Sequence, residues 1–440
     1  MVNVLIIGHG AREHCLSEAL VRGGANLYAF MSFKNAGIED LSKEIAIDSE
    51  TDFKKIINFA KSNKIDFAVI GPESPLVVGI VDALEKSDIP CVGPKIEAAQ
   101  LEGSKIFTRN LLEKYKIQSN VKSKKFNSMM GITDYIEEMG EENIVVKPDG
   151  LTGGKGVKVY GDHLFSKKDI IDYCEELIDK GGTFLLEEKC DGEEFTLQTF
   201  VDGKNVIGSP LVQDHKRAYE DDEGPNTGGM GSYSMEDHLL PFISQDDVNS
   251  ALNDMKHTIA AVKAETGVEY KGFLYGQFMK TKNGLKLIEY NARMGDPEAM
   301  NVLPLLKSNF VDICWAIING NLSSTIEFER KATVCKYLAP EGYPISPKKD
   351  EPINIDKKKL DEVGAKYYYA SVYRSDNGNI YTTTSRAMGI LGISKNLEQA
   401  ENIAEKGVEC IQGKLFHRKD VGTLSLLQKR IEHMNSILNK

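Results

Sequence analysis

Three polar residues spaced two apart close an apolar run, Leu287-Ile288-Glu289-Tyr290-Asn291-Ala292-Arg293. Strand side chains alternate faces, so Glu289, Asn291 and Arg293 share one face and Tyr290, Ala292 and Met294 the other. A carboxylate and an amide oxygen suit a hard ion such as Mg²⁺, which keeps waters and substrate phosphates as its remaining ligands. An Arg beside that ion offers fixed charge and several donors to a phosphoryl group in transfer. Taken alone, the pattern reads more simply as a solvated edge strand with a surface ion pair.

A second stretch changes that reading. Lys147 ends the β-branched run Ile144-Val145-Val146, and Gly150, Gly153, Gly154, Lys155 and Gly156 follow within ten residues. Glycines let backbone N–H groups approach phosphate oxygens, and lysines supply charge. The spacing is not that of a Walker loop, because G-x-x-x-x-G-K-[ST] is absent. A Lys closing an apolar strand would be buried without a phosphate partner. Lys155, inside the loop, orders when a nucleotide binds.

The elements around these residues follow from pattern. Gly272 to Lys280 reads as a strand, and Asn283-Gly284 favours a type I′ turn, so the two strands form an antiparallel hairpin that sets Gln277 against Glu289. At the N-terminus, Asn3 to Gly8 and then Gly10, Arg12, Glu13 and His14 read as strand, tight turn and helix. Glu13 stands where the dinucleotide fingerprint needs Gly, so NAD binding is set aside. Further strands at Leu27 to Phe30, Glu44 to Ile47 and Phe67 to Gly71 complete a parallel α/β domain whose loops Gly8 to His14 and Gly71 to Leu76 lie at the carboxyl strand edges. Ser104 caps a helix running from Lys105 to Tyr115.

The chain has 440 residues, enough for about three domains. A net charge of −11 argues against a generic nucleic-acid or anionic-membrane surface, so any phosphate site is local. Seven scattered cysteines without C-x-x-C fit reduced thiols in a cytosol. No window approaches the ~20 apolar residues of a membrane span, and Met1 to Gly8 is too short for a signal peptide.

Together the two stretches resemble the ATP-grasp superfamily. Gly71-Pro72-Glu73-Ser74-Pro75-Leu76, Gln100-Leu101-Glu102-Gly103-Ser104-Lys105, Asp191-Gly192-Glu193-Glu194, Gln213-Asp214-His215-Lys216-Arg217, Gly224 to Gly231 and Gly295-Asp296-Pro297-Glu298 narrow the resemblance to phosphoribosylamine–glycine ligases. The resemblance is dense as far as Glu298 and thinner beyond.

It implies ATP-dependent ligation of glycine to 5-phospho-β-D-ribosylamine through a glycyl phosphate, in purine synthesis in the cytoplasm. ATP is then a co-substrate and Mg²⁺ or Mn²⁺ the metal, held by Glu289, Asn291 and Gln277, the last standing where many superfamily members have a metal-binding Glu. Lys105, Lys147, Gly150, Gly153, Gly154, Lys155 and Gly156 would face the nucleotide phosphates. Backbone near Glu187, Glu188 and Cys190 would read adenine, although Lys189 and Cys190 depart from the usual aromatic and leucine, and Glu193 would hold the ribose. Gly10, Glu13 and Glu73 would face the amine and its phosphate. Asp214 would anchor glycine's ammonium group, Asn226, Thr227, Gly228 and Gly229 would orient its carboxylate, and Asp296 would contact substrate. Arg293 and Asp214 carry the catalytic assignments, His215 lines the site, and Arg386 receives no chemistry.

The expected architecture is α/β and α+β multidomain: a parallel α/β domain (1–104), a linking helix (105–121), an ATP-grasp core of two subdomains, namely a nucleotide-covering lid (122–190) and a central catalytic unit (191–329), and a small α+β C-terminal domain (330–440). The expected partners are small-molecule substrates, with no nucleic acid and no membrane, in a monomer or weak homodimer. Two rivals share most of these features: another ATP-grasp carboxylate–amine ligase, and a non-catalytic nucleotide-binding regulator.

Overall fold

The computed structural model describes residues 1–151, 153 and 156–439. The N-terminal strands β1 (Asn3–Ile7), β2 (Asn26–Met31), β3 (Ser42–Ile47), β4 (Phe67–Ile70) and β5 (Cys91–Val92) form one parallel sheet in the order β3-β2-β1-β4-β5. Val4, Leu5, Ile6 and Ile7 have no exposed surface, as a strand covered on both faces requires. The chain runs outward from β1 first to β2 and then to β4, so the crevice above β1 is the switch point where such sheets bind ligands. Gly8 lies there at φ +120°, and a Cβ would meet the Glu13 side chain at 2.5 Å, so the close turn into the helix Ala11–Arg22 requires glycine.

The segment expected to form the lid is a four-stranded antiparallel sheet, β6 (Ser123–Phe126), β9 (Phe184–Glu188), β7 (Ile144–Pro148) and β8 (Lys158–Val159) in that order. Helices Ile132–Met139 and Lys167–Asp179 share with it a small core of Phe126, Ile136, Ile144, Val146, Ile170 and Phe184. The central unit pairs β10 (Gly192–Asp202), β11 (Val206–Gly208), β16 (Lys271–Thr281) and β17 (Gly284–Asn291) in the order β11-β10-β16-β17. The hairpin expected between the last two is present with a different turn. Of Asn283 and Gly284, Gly284 takes positive φ (+96°) and already pairs with Thr281. The turn is therefore centred on Lys282-Asn283 with a glycine at the position after it, which is the bulged-hairpin solution rather than type I′.

A third sheet crosses the boundary expected near residue 330. Strands β12 (Gln213–Asp214) and β15 (Gly231–Ser234) of the central segment, separated in sequence by the ribbon of β13 (Arg217–Tyr219) and β14 (Glu223–Asn226), continue onto β18 (Ala332–Pro340). The strands Met388–Ser394 and Lys366–Tyr369 then extend the sheet. A break at Ala370-Ser371 separates Lys366–Tyr369 from the next strand, Val372–Arg374. The glycine-rich segment 224–231 thus hangs from a sheet shared with the C-terminal region. Among the described residues no helix is long and apolar enough to cross a membrane.

Candidate active site

Glu289 and Asn291 lie opposite Gln277 and Tyr275 in the β16–β17 ladder. The register slips between Gln277 and Phe278, leaving Ile288 as the extra residue of a bulge. The Ile288 carbonyl accepts from Lys147 Nζ and from Arg109, each at 3.0 Å. No hydrogen bond to the Glu289 side chain occurs among the described residues, and Asn291 Oδ1 has one long contact, 3.5 Å to Arg293. Burial opposes ionisation of Glu289, but Lys216, Lys147, Lys105 and Arg293 hold its pKa below the ordinary value. Two open oxygens ringed by cations fit a hard divalent ion whose other ligands are phosphate and water. Among the described residues no group of three or more His, Cys, Asp or Glu side chains could hold a metal by itself.

Lys147 differs from the sequence expectation. It is buried but not unpartnered: Glu187 Oε2 lies 2.7 Å away, and the same carboxylate is gripped by Arg109 at 2.7 and 3.0 Å. Burial pushes the Glu187 pKa up, and the two cations more than reverse this, leaving it at about 2. Arg109 is a site-building residue that the sequence reading missed. Its sign is an arginine three residues after Ile106 and three before Leu112, on the apolar face of the helix Lys105–Lys114. Ser104 caps that helix as expected, accepting from Phe107 N at 3.0 Å and donating to Asp149. Lys105 Nζ donates to the Gly150 carbonyl at 2.8 Å, and burial lowers its pKa. Gly156 is tied by its carbonyl to the Tyr173 hydroxyl at 2.7 Å, and Gly153 has φ +57°. Gly154 and Lys155 lie outside the described residues.

The hinge residues divide. Glu188 is a strand-end charge, accepting from Lys122 N and lying 3.3 Å from Lys286, and Cys190 is half-buried. Glu193 needs correction. Its carboxylate is 3% exposed and bonded to His433 at 2.6 Å and Gln213 at 3.2 Å, on the face of β10 away from Gln277. The next residue, Glu194, points to the cleft, where Gln277 Nε2 donates to it. Alternation along β10 puts one of the two adjacent acids on each face, and the register with β16 decides which faces the site.

At the N-terminal wall, Gly10 N donates to Glu13 Oε2 at 2.7 Å, and Arg12 holds Glu13 Oε1 at 2.6 Å. Arg293 sits between Glu73, at 3.2 Å, and Glu102, at 3.0 Å. Burial alone would raise the Glu73 pKa, but Arg293 and Arg12 bring it down to about 2. Burial raises Glu102 to about 7, although Arg293 opposes the rise. Glu102 also accepts from Ala292 N at 2.6 Å, so it fixes both backbone and side chain of the E-x-N-x-R strand end.

Asp296 closes the same wall. A Cβ on Gly10 would lie 3.8 Å from its Oδ2. Its Oδ1 accepts from Tyr337 at 2.5 Å, and Arg386 lies 3.5 Å from Oδ2 while stacking 4.3 Å over the Tyr337 ring. Arg386, given no chemistry from sequence, also donates to the Gly228 and Gly229 carbonyls, each at 2.8 Å. The C-terminal region thereby fastens the glycine-rich segment to the Gly295-Asp296-Pro297-Glu298 turn.

Asp214, Glu194, Glu289 and Glu298 surround Lys216 and raise its pKa against the effect of burial. Burial likewise raises Asp214, to about 7, with Lys216 opposing. The Thr227 hydroxyl donates to the Lys216 carbonyl at 2.8 Å and accepts from Gly229 N at 3.0 Å, so it shapes the turn. Asn226 pairs with Arg217 in the β13–β14 ribbon. His215 is 1% exposed, with neither ring nitrogen hydrogen-bonded, and burial lowers its pKa. Its Nδ1 lies 3.9 Å from Asp222 Oδ1 and its ring stacks against Tyr233, the setting of a histidine held by packing.

Comparison with known proteins covers nearly the whole chain. Residues 2–102, 103–299 and 333–424 match in turn the N domain, the ATP-grasp (A) domain and the C domain of phosphoribosylglycinamide synthetase. Phosphoribosylamine–glycine ligase of Methanococcus maripaludis strain C7 is 50% identical over 99% of this chain and 100% of its own length. That of Methanocaldococcus jannaschii is 49% identical over 99% of this chain and 100% of its own. The crystal structure of phosphoribosylamine–glycine ligase from Thermotoga maritima superposes with a TM-score of 0.82 at 28% identity, covering 95% of this chain and 100% of that one.

Proposed function

Because the chain belongs to the phosphoribosylglycinamide synthetase family, and so performs ATP-dependent ligation of glycine in purine biosynthesis, we propose how its residues divide that reaction. The observation that carries the reading is the Glu289 carboxylate, without a hydrogen bond among the described residues and acted on by four cations, Lys216, Lys147, Lys105 and Arg293, with Asn291 Oδ1 beside it holding only a long contact to Arg293. Such an array suits a polyphosphate whose terminal phosphoryl group is in transfer.

Glu289 and Asn291 would hold the divalent ion, Mg²⁺ or Mn²⁺, which supplies charge neutralisation and alignment of phosphate oxygens when bound. Lys105 and Lys147 bind the ATP phosphates, and backbone groups at Glu187 to Cys190 take the adenine. Glu194, not Glu193, is the acid turned toward the ribose side of the cleft. Asp214 receives glycine's ammonium group, and the Asn226 to Gly229 turn orients its carboxylate. A carboxylate oxygen of glycine attacks the γ-phosphorus, ADP leaves, and Arg293 compensates charge on the transferred group. Phosphoribosylamine, held by Gly10, Glu13, Glu73 and Asp296 at the N-terminal wall, attacks the acyl carbon through its nitrogen, and phosphate departs. Arg293 bridges the two substrates' walls through Glu73. The enzyme works in the cytoplasm as a monomer or weak homodimer on small molecules alone.

The test is ADP release by the purified protein with Mg-ATP and glycine, with and without freshly generated phosphoribosylamine, followed by mass analysis. ADP and a mass for glycinamide ribonucleotide are expected when all three substrates are present. Turnover with a different acid or amine would replace the substrate assignment, and tight ATP binding without turnover would replace the catalytic one.

A further inference from the structure

We propose that Lys216 is a built-in cation of the phosphoryl-transfer centre and that Gln277 is its anchor, so that the site takes one divalent ion, at Glu289 and Asn291, and none at Gln277. The proposal rests on the reading of Glu289 and Asn291 as the metal's protein ligands. Gln277 has no exposed surface. Its Oε1 accepts from Lys216 Nζ at 2.6 Å, with the Tyr275 hydroxyl 3.3 Å away, and its Nε2 donates to Glu194 Oε2.

An amide is the one acid-sized side chain that can do both. A glutamate at this position would accept from the ammonium but could not donate to Glu194, and two carboxylates would then face each other. The presence of Gln opposite Glu289 is thereby explained by its neighbours: it links a cation on one side to an anion on the other. A divalent ion bound to Gln277 Oε1 would share that oxygen with an ammonium, bringing like charges together.

Lys216 is also placed to act. Its carbonyl accepts from Thr227 N at 2.7 Å and from the Thr227 hydroxyl at 2.8 Å, which fixes the backbone. Its side chain is 35% exposed and 3.7 Å from Glu194, so N–H groups not used by Gln277 face the cleft beside Glu289. An ammonium carries three donors as a compact point charge, which suits a phosphoryl oxygen.

The experiment counts ions rather than turnover: Mn²⁺ titration followed by electron paramagnetic resonance, with saturating non-hydrolysable ATP analogue. One tightly bound Mn²⁺ per chain is expected for the wild type, with the same count in Gln277→Ala and its loss in Glu289→Gln. Two ions in the wild type, falling to one in Gln277→Ala, would overturn the proposal and make Gln277 a ligand. A count insensitive to Glu289→Gln would instead overturn the metal reading beneath it. As a second readout, Lys216→Met should lower kcat by ~10²-fold with the KM for ATP within a few-fold of wild type, and Lys216→Arg should recover part of the loss. An unchanged kcat in Lys216→Met would remove Lys216 from the transfer step.

Discussion

Lys147 and Lys216 both favour the ionised form of the same carboxylate, Glu289, and they are held in opposite ways. Lys147 is 7% exposed and closes a buried knot with Glu187 and Arg109 in which one carboxylate serves two cations. Lys216 stands at the cleft with its ammonium on a neutral amide and a longer contact to Glu194. The first arrangement offsets part of the lysine's charge inside the protein, so Lys147 builds the wall from which it meets the phosphates. The second leaves charge available to a substrate. A basic residue in a phosphate site is therefore read by what already satisfies it, and its distance from the metal-binding strand alone does not say which kind it is.

Breaking the knot should have the largest effect, and it should fall on stability. Arg109→Ala leaves Glu187 with Lys147 alone in a buried site, and a loss of about 3 kcal/mol is expected in denaturant unfolding, the low end for removing one partner of a buried pair. A loss below about 1 kcal/mol would show that the knot is not structural. The same carboxylate sets an acid window. Glu187 is held at about 2 against an ordinary 4.5, so the folded state binds its proton less readily than the unfolded one. The stability it contributes is present above pH 4.5 and fades as pH falls from there through about 2. Glu187→Gln should flatten the unfolding free energy across that window relative to wild type, and a parallel pH profile would assign the acid sensitivity elsewhere.

Next in size is a purely chemical loss. Arg293→Ala should lower kcat by ~10²-fold or more with ATP binding little changed, because its charge is spent on the transferring group. An unchanged kcat would reduce Arg293 to the clamp between Glu73 and Glu102. Glu289→Gln, which loses the tightly held ion, should raise the Mg²⁺ concentration needed for half-maximal rate by at least ~10-fold, and an unaltered titration would place the ion away from β17. The smallest effect tests the support beneath the lysines. Ser104→Ala removes the cap that sets Lys105 at the helix start and should cost about 1 kcal/mol in unfolding free energy, with kcat preserved to within a few-fold. A large loss of kcat there would mean that Asp149, the other partner of Ser104, positions the glycine loop.

What could be read from the sequence was local. Period-two alternation was enough to put Glu289, Asn291 and Arg293 on one face, and the cap at Ser104 with the helix after it followed from residue type. The parallel N-terminal sheet followed from a continuous apolar strand entering a glycine turn. These depend on interactions within a few residues, so the chain carries them without knowing its neighbours.

Register and long-range pairing are another matter. Whether Glu193 or Glu194 faces the cleft depends on the phase in which β10 meets β16, and one residue of slip exchanges them. The bulge that turns the Ile288 carbonyl toward Lys147 arises from the same pairing. Arg109 finds Glu187 across 78 residues, Glu102 reaches Ala292 across 190, and Arg386 returns from the C-terminal region to Gly228 across 158. Nothing in the spacing of those residues specifies the partner. The sequence alone determined which side chains carry phosphate and metal chemistry and which strand face displays them. Tertiary packing decided which charges are spent on one another and which remain for the substrate, because a charge is satisfied by whatever lies within a few ångströms in space, however distant along the chain.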